Sequence, residues 1–175
     1  AGVRYFETNN EPDLSAEWKD GYVPPDWMNI VVDNFIIDAD TVIRLGGLPA
    51  LPALSIGNKA NLIELVVQKG RADLFSNGAW VAVHNYTLNH PLDYPYDPVN
   101  QAGAPVSQEE YDRLGSWAWD GNLRAQINEW RATDKNPGAT LEQDASCFLS
   151  FHLLDQTIAK LLGHKVPIIS TEGGP

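Results

Sequence analysis

Apolar positions along the 175-residue chain fall into runs of two kinds that alternate. Val3 to Thr8, Leu51 to Ile56, Ala79 to Tyr86 and Val166 to Thr171 are short, apolar and rich in β-branched or aromatic residues, and read as strands. Over Asp26 to Arg44 the residues Trp27, Ile30, Val31, Phe35, Ile36 and Val42 recur near helical spacing, with Pro24-Pro25 ahead and Gly46-Gly47 behind. A second helix is expected from Asn58, with Leu62, Ile63, Val66 and Val67 on one face and Gly70 weakening its later part. The last helix is the clearest. Cys147, Phe148, Phe151, Leu154, Ile158, Leu161 and Leu162 step at helical intervals, Gly163 stands where a terminating glycine would, and Pro167 prevents continuation.

This α/β alternation implies a parallel sheet with right-handed crossovers, hence a doubly wound sheet or part of a (β/α) barrel. Residues 1–175 read as a single domain without internal repeats. Residues 87–143 break the rhythm as an insertion holding Pro91, Pro95, Pro98, Pro105 and Pro137 with Tyr94, Tyr96, Trp117, Trp119 and Trp130. Within it Ser107 to Arg113 and Leu123 to Arg131 are expected as short helices. The insertion reads either as a cap with a small aromatic core of its own or as a wall of a binding cleft.

Composition narrows the class. A chain that is 43% hydrophobic and 20% charged is a folded globular domain rather than a disordered or collagen-like one. Twelve Lys and Arg against 23 Asp and Glu give a net charge of −11, which repels phosphate backbones and argues against nucleic acid as a partner. No apolar run approaches the roughly 18–20 residues of a membrane span, and no leader pattern opens the chain. The single cysteine, Cys147, has no partner for an internal disulfide and reads as a buried, inert thiol. The chain enters and leaves within strand-like runs, so it is expected to be a fragment of something longer.

Two carboxylates fall where parallel α/β folds gather their chemistry, at the carboxyl ends of strands. The first strand leads into Asn9-Asn10-Glu11-Pro12 and the last into Thr171-Glu172-Gly173-Gly174. The strand between ends His84-Asn85-Tyr86, and alternation puts His84 and Tyr86 on one face. Either glutamate alone would be an ordinary solvated loop residue.

Taken together, these residues resemble the clan A glycoside hydrolases, the (β/α)8 barrels that include the family-five cellulase-like enzymes. There the acid/base Glu follows an Asn at the end of the fourth strand and the nucleophile Glu ends the seventh. Two strand-like runs separate Glu11 from Glu172, as that register requires. The resemblance implies a partial (β/α)8 TIM barrel of parallel strands four to seven, with helices and a long aromatic-rich insertion after strand six. The remaining barrel half would be missing from this chain.

It further implies a retaining double displacement on a β-linked oligo- or polysaccharide. Glu11 would protonate the leaving oxygen and later activate water, while Glu172 would attack the anomeric carbon. Two carboxyls in opposite protonation states are needed, at a separation of roughly 5–5.5 Å for retention or about 6.5–9.5 Å for inversion. Asn10 would hold the sugar 2-hydroxyl, Tyr86 would hydrogen-bond Glu172, and His84 would contact sugar or a carboxylate. Trp117 and Trp119, in Ser-Trp-Ala-Trp-Asp, would stack on sugar rings and point the same way if their segment is extended. Trp80 reads as core, and Glu7 as a structural acid lower on the face of Glu11. No cofactor and no metal is implied, and the resemblance suggests an extracellular or periplasmic location. The family's early-strand residues and the Trp that often ends its eighth strand cannot be located.

Two other classes compete. A metal-dependent hydrolase could draw on His84, His90, His152 and His164, but neither His-x-x-x-His nor a compact Cys/His spacing occurs. A non-catalytic carbohydrate-binding barrel would keep the fold without turnover. Gly46-Gly47 and Gly173-Gly174 fit neither a phosphate loop nor a dinucleotide fingerprint. Asp93, Asp97 and Asp120 could meet sugar hydroxyls or a cation, without the fixed spacing of a calcium loop.

Overall fold

Four strands pair side by side in the order they occur along the chain. The computed structural model describes residues 2–174, the side chains of Ser116 and Trp117 excepted. Strands β1 (Tyr5–Phe6), β2 (Leu48–Leu51), β3 (Trp80–Tyr86) and β4 (Ile168–Gly174) form one parallel, curled sheet in the order β1-β2-β3-β4. The crossovers are α1 (Trp27–Arg44), then α2 (Leu62–Gln68) with α3 (Asp73–Ser76), and finally the insertion followed by α7 (Phe151–Leu162). The fold is therefore mixed α/β, as the alternation predicts. No helix among the described residues is long and apolar enough to cross a membrane.

The two faces of the sheet are built differently. Leu51 and Val81 face the helices and join Val31, Val32, Phe35 and Ala39 of α1, Leu62, Ile63 and Val66 of α2, and Ile158 of α7 in the main core. Burying each such large side chain contributes about 1.5–3 kcal/mol. The opposite face carries mostly small residues, Ala50, Ala53 and Ala82, with Trp80 among them. The Trp80 indole donates to Leu48 O at 2.9 Å and meets Tyr5 edge-on, so it is a core residue as expected. Helices cover the first face, which leaves the second free to carry a site.

Several boundaries differ from the sequence pattern, each for a local reason. Of Val3 to Thr8 only Tyr5 and Phe6 pair, because β2 begins directly after Gly47 and offers Val3 no neighbour. The second strand is Leu48–Leu51 and not Leu51 to Ile56. Pro52 brings no N–H to a ladder. Beyond it the amides of Ala53 and Ser55 turn to the carboxylates of Glu7 (3.4 Å) and Asp13 (3.0 Å). The second helix starts at Leu62 rather than Asn58, since Asn61 caps it by accepting from Glu64 N at 3.0 Å. Cys147 lies outside the last helix, in extended backbone before a 3-10 turn at Phe148–Ser150. It is buried, and burial pushes its thiol pKa up, in keeping with an inert thiol.

The insertion contains α4 (Pro98–Ala102), α5 (Gln108–Leu114) and α6 (Arg124–Asp134); the last two match the expected helices and α4 was not expected. Ser116–Trp119 is a 3-10 turn and not the extended segment that would aim both tryptophans alike. Trp119 donates to Tyr111 O at 3.2 Å, stacks on the Tyr111 ring and lies under Arg131, so it serves a core within the insertion. The Trp117 side chain lies outside the described residues. The insertion is tied to the approach to α7 by Tyr94, whose hydroxyl donates to Asp144 Oδ2 at 2.6 Å.

Burial and the Asp144 carboxylate push the Tyr94 phenol up to about 12, and the Tyr94 hydroxyl holds Asp144 below its usual range. A raised phenol pKa means the unfolded chain loses its proton first, so stability falls as pH climbs from 10.0 to about 12. Below that window the tyrosine's contribution is complete. Urea midpoints measured across it should drop more steeply in the wild-type chain than in Tyr94→Phe; parallel pH profiles would refute the assignment.

Candidate active site

The carboxyl ends of β1, β3 and β4 bring Glu11, His84, Tyr86 and Glu172 together. The loop after β1 turns sharply at Glu11, whose φ of +36° lies in the left-handed region that L residues rarely enter. Such a conformation costs of order 1–3 kcal/mol and persists only where its surroundings fix it. Here Glu11 O accepts from Leu14 N at 2.9 Å, Pro12 is buried, and the Trp18 indole donates to Pro12 O at 2.7 Å. Asp13 completes the clamp, accepting from Ser55 N, from the Ser55 hydroxyl and, at 2.7 Å, from the Asn58 side chain. This binds the Glu11 loop to the loop leaving β2. Asp13 and Trp18 escaped notice in the sequence; an aspartate in a loop beside the polar stretch Ser55–Asn58 was the available signal.

On β4 the decisive feature is a register shift. Val81, Ala82 and Val83 pair with Ile168, Ile169 and Ser170, but His84 pairs with Glu172, so Thr171 is passed over as a bulge. Paired residues on neighbouring parallel strands share a face. Without the shift Glu172 would face with Ile168 and Ser170, toward the helices; the extra residue turns it onto the face of Trp80, Ala82 and His84. The Ser170 hydroxyl bridges the bulge by donating to Glu172 O at 2.9 Å. Glu172 thus lies inside the last strand, which reaches Gly174, and not beyond an end at Thr171.

The side chains of β3 hold both acids. His84 has no exposed side-chain surface, and its Nδ1 is hydrogen-bonded to Glu11 Oε1 at 2.8 Å. The Tyr86 hydroxyl, two residues on and on the same face, donates to Glu172 Oε2 at 2.8 Å. That bond raises the Tyr86 phenol above its usual range and keeps it the donor at neutral pH. Each carboxylate therefore has one oxygen tethered to β3, leaving Glu11 Oε2 and Glu172 Oε1 for other work. Glu11 is mostly buried at 18% side-chain exposure, whereas Glu172 is 42% exposed. One ligand atom from each of Glu11, His84 and Glu172 lies within 4.8 Å of the other two, so the carboxyl oxygens approach at least that closely.

The expected residues are thus only partly assembled. Asn10 adjoins Glu11, half-buried, and Glu7 directly follows β1 with its carboxylate on Ala53 N. Trp119 has its observed contacts within the insertion. A cavity of about 430 Å³ between the sheet, α2 and α7 reaches His84 but neither glutamate. No family model matches the chain, and neither a curated protein nor a solved structure matches it.

The two glycines after Glu172 differ in a way that tests the strand geometry. A Cβ on Gly173 would stand 2.8 Å from Asn85 O, whereas one on Gly174 would meet only the Tyr86 ring at 3.5 Å. Gly173→Ala should therefore lower stability by about 1–3 kcal/mol in urea unfolding, and Gly174→Ala by clearly less. Equal effects would mean that β3 and β4 do not approach this closely beside Glu172.

Proposed function

We propose that this chain carries the acid/base and nucleophile of a retaining glycoside hydrolase acting on a β-linked saccharide. The observation that carries this reading is the approach of two strand-end carboxylates to within 4.8 Å, each tethered by a different β3 side chain. That upper bound on the nearest oxygens falls short of the 6.5–9.5 Å or so that admits a water for inversion and favours a retaining pair, whose carboxyl groups stand roughly 5–5.5 Å apart. The parallel sheet, with outer edges of β1 and β4 unpaired among the described residues, supports strands four to seven of a (β/α)8 barrel completed by further strands.

The free oxygens define the steps. Glu172 Oε1 attacks the anomeric carbon as the glycosidic C–O bond breaks, and Glu11 Oε2 gives its proton to the departing oxygen. Water then attacks the glycosyl-enzyme while Glu11 takes the water's proton, releasing Glu172 and a sugar of retained configuration. Tyr86 fixes the rotamer of Glu172, and His84 fixes that of Glu11. Asn10, beside Glu11, would meet the sugar 2-hydroxyl.

Glu172→Gln should lower turnover of aryl β-glycosides by roughly 10⁴-fold or more while saccharide binding persists. Proton NMR of the first-formed product should show the anomer of the substrate. Unimpaired turnover in Glu172→Gln, or an inverted first product, would overturn the mechanism. The half barrel alone is expected to be inactive, so turnover is measured in the protein that completes the barrel; saccharide binding there with no turnover in either form would mark a binding protein.

A further inference from the structure

The hydrolytic steps leave one atom between the two acids without a partner. His84 Nε2 is buried, makes no hydrogen bond among the described residues, and faces Glu172 Oε1 at 3.8 Å. That gap is too long for a hydrogen bond. When Glu11 is ionised, Nδ1–H donates to it across 2.8 Å and Nε2 carries the ring's lone pair, 3.8 Å from an oxygen of a second carboxylate. Ligands of one tetrahedral ion, with bonds of about 2.0–2.2 Å, stand roughly 3.3–3.6 Å apart, so a small closure of the gap suits such an ion.

We propose that a borderline divalent cation of the Zn2+ type binds here, with His84 Nε2 and a Glu172 oxygen as ligands and water completing the shell. Glu11 orients the imidazole from its far side. This carboxylate–histidine–metal chain fixes the tautomer and raises the basicity of the ligating nitrogen. An imidazole nitrogen in the set favours Zn2+ over Ca2+ or Mg2+, which take oxygen ligands. The four-residue spacings of known zinc motifs are absent because β3 and β4 supply the ligands from paired strands, at His84 and Glu172. The consequence for turnover rests on the hydrolase reading: an ion on Glu172 Oε1 occupies the attacking oxygen, so it inhibits reversibly.

The test is calorimetric titration of ZnCl2 into chelator-dialysed protein, with circular dichroism confirming that each variant folds. One saturable site is expected, weakened about tenfold or more in Glu172→Gln and in His84→Gln, and retained in Tyr86→Phe. A His90→Ala/His164→Ala variant should bind as the wild type does, and excess Ca2+ should not displace the zinc. No saturable binding, or binding unchanged in Glu172→Gln, would overturn the site; because Glu172 is partly exposed, that variant should fold even if the buried His84→Gln does not. Zinc binding with no glycoside turnover in the protein that completes the barrel would remove the hydrolase reading and leave the metal site standing. Turnover without zinc binding would do the reverse.

Discussion

One extra residue in β4 decides on which side of the sheet the second carboxylate stands. Side chains alternate along a strand, so a slip of one position exchanges faces completely. By passing over Thr171, the strand keeps Ile168 in the helix-facing core and still delivers Glu172 to the face of His84. A regular ladder could satisfy only one of these demands. Burial of Val166, with Ile168 packed against the core, anchors the strand, and the bulge frees its last residues from that packing. Gly173 follows for a related reason, since the backbone of β4 must run within a Cβ's reach of Asn85 O.

Much of the architecture was legible in the chain because its helices are periodic and its crossovers force parallel strands. The spacing of Trp27, Ile30, Val31, Phe35 and Ile36 announces α1, and that of Leu154, Ile158 and Leu161 announces α7. Strand limits were harder to read. A ladder ends where a better hydrogen-bond partner appears, and at β2 those partners are Glu7 and Asp13, more than forty residues earlier in the chain. The bulge at Thr171 was invisible for the same reason: it exists only relative to β3.

The clustering of the candidate residues was legible to a similar depth. Glu11, His84, Tyr86 and Glu172 stood out because strand ends are where parallel folds expose polar groups, and His84 and Tyr86 share a face by simple alternation. Trp119 shows where pattern stops, because an aromatic in an insertion looks the same whether it awaits a ligand or fills a small core. Its ring is engaged by Tyr111 and Arg131. Asp13 was overlooked because its importance lies in what it restrains. It touches neither carboxylate, yet it holds in place a loop whose turn at Glu11 is conformationally unfavourable.

The arrangement separates strain from precision. The unfavourable backbone is confined to the Glu11 loop, and that loop is clamped from outside by Asp13, Trp18 and the β2 loop. Precision comes from β3, the most deeply buried strand, whose His84 and Tyr86 each grip one acid. Because those two residues share one rigid element, the distance between their carboxylates is set by the pleat of a strand and does not depend on how two loops happen to settle. Any chemistry that requires both acids at once, whether on a sugar or on a cation, inherits that fixed spacing.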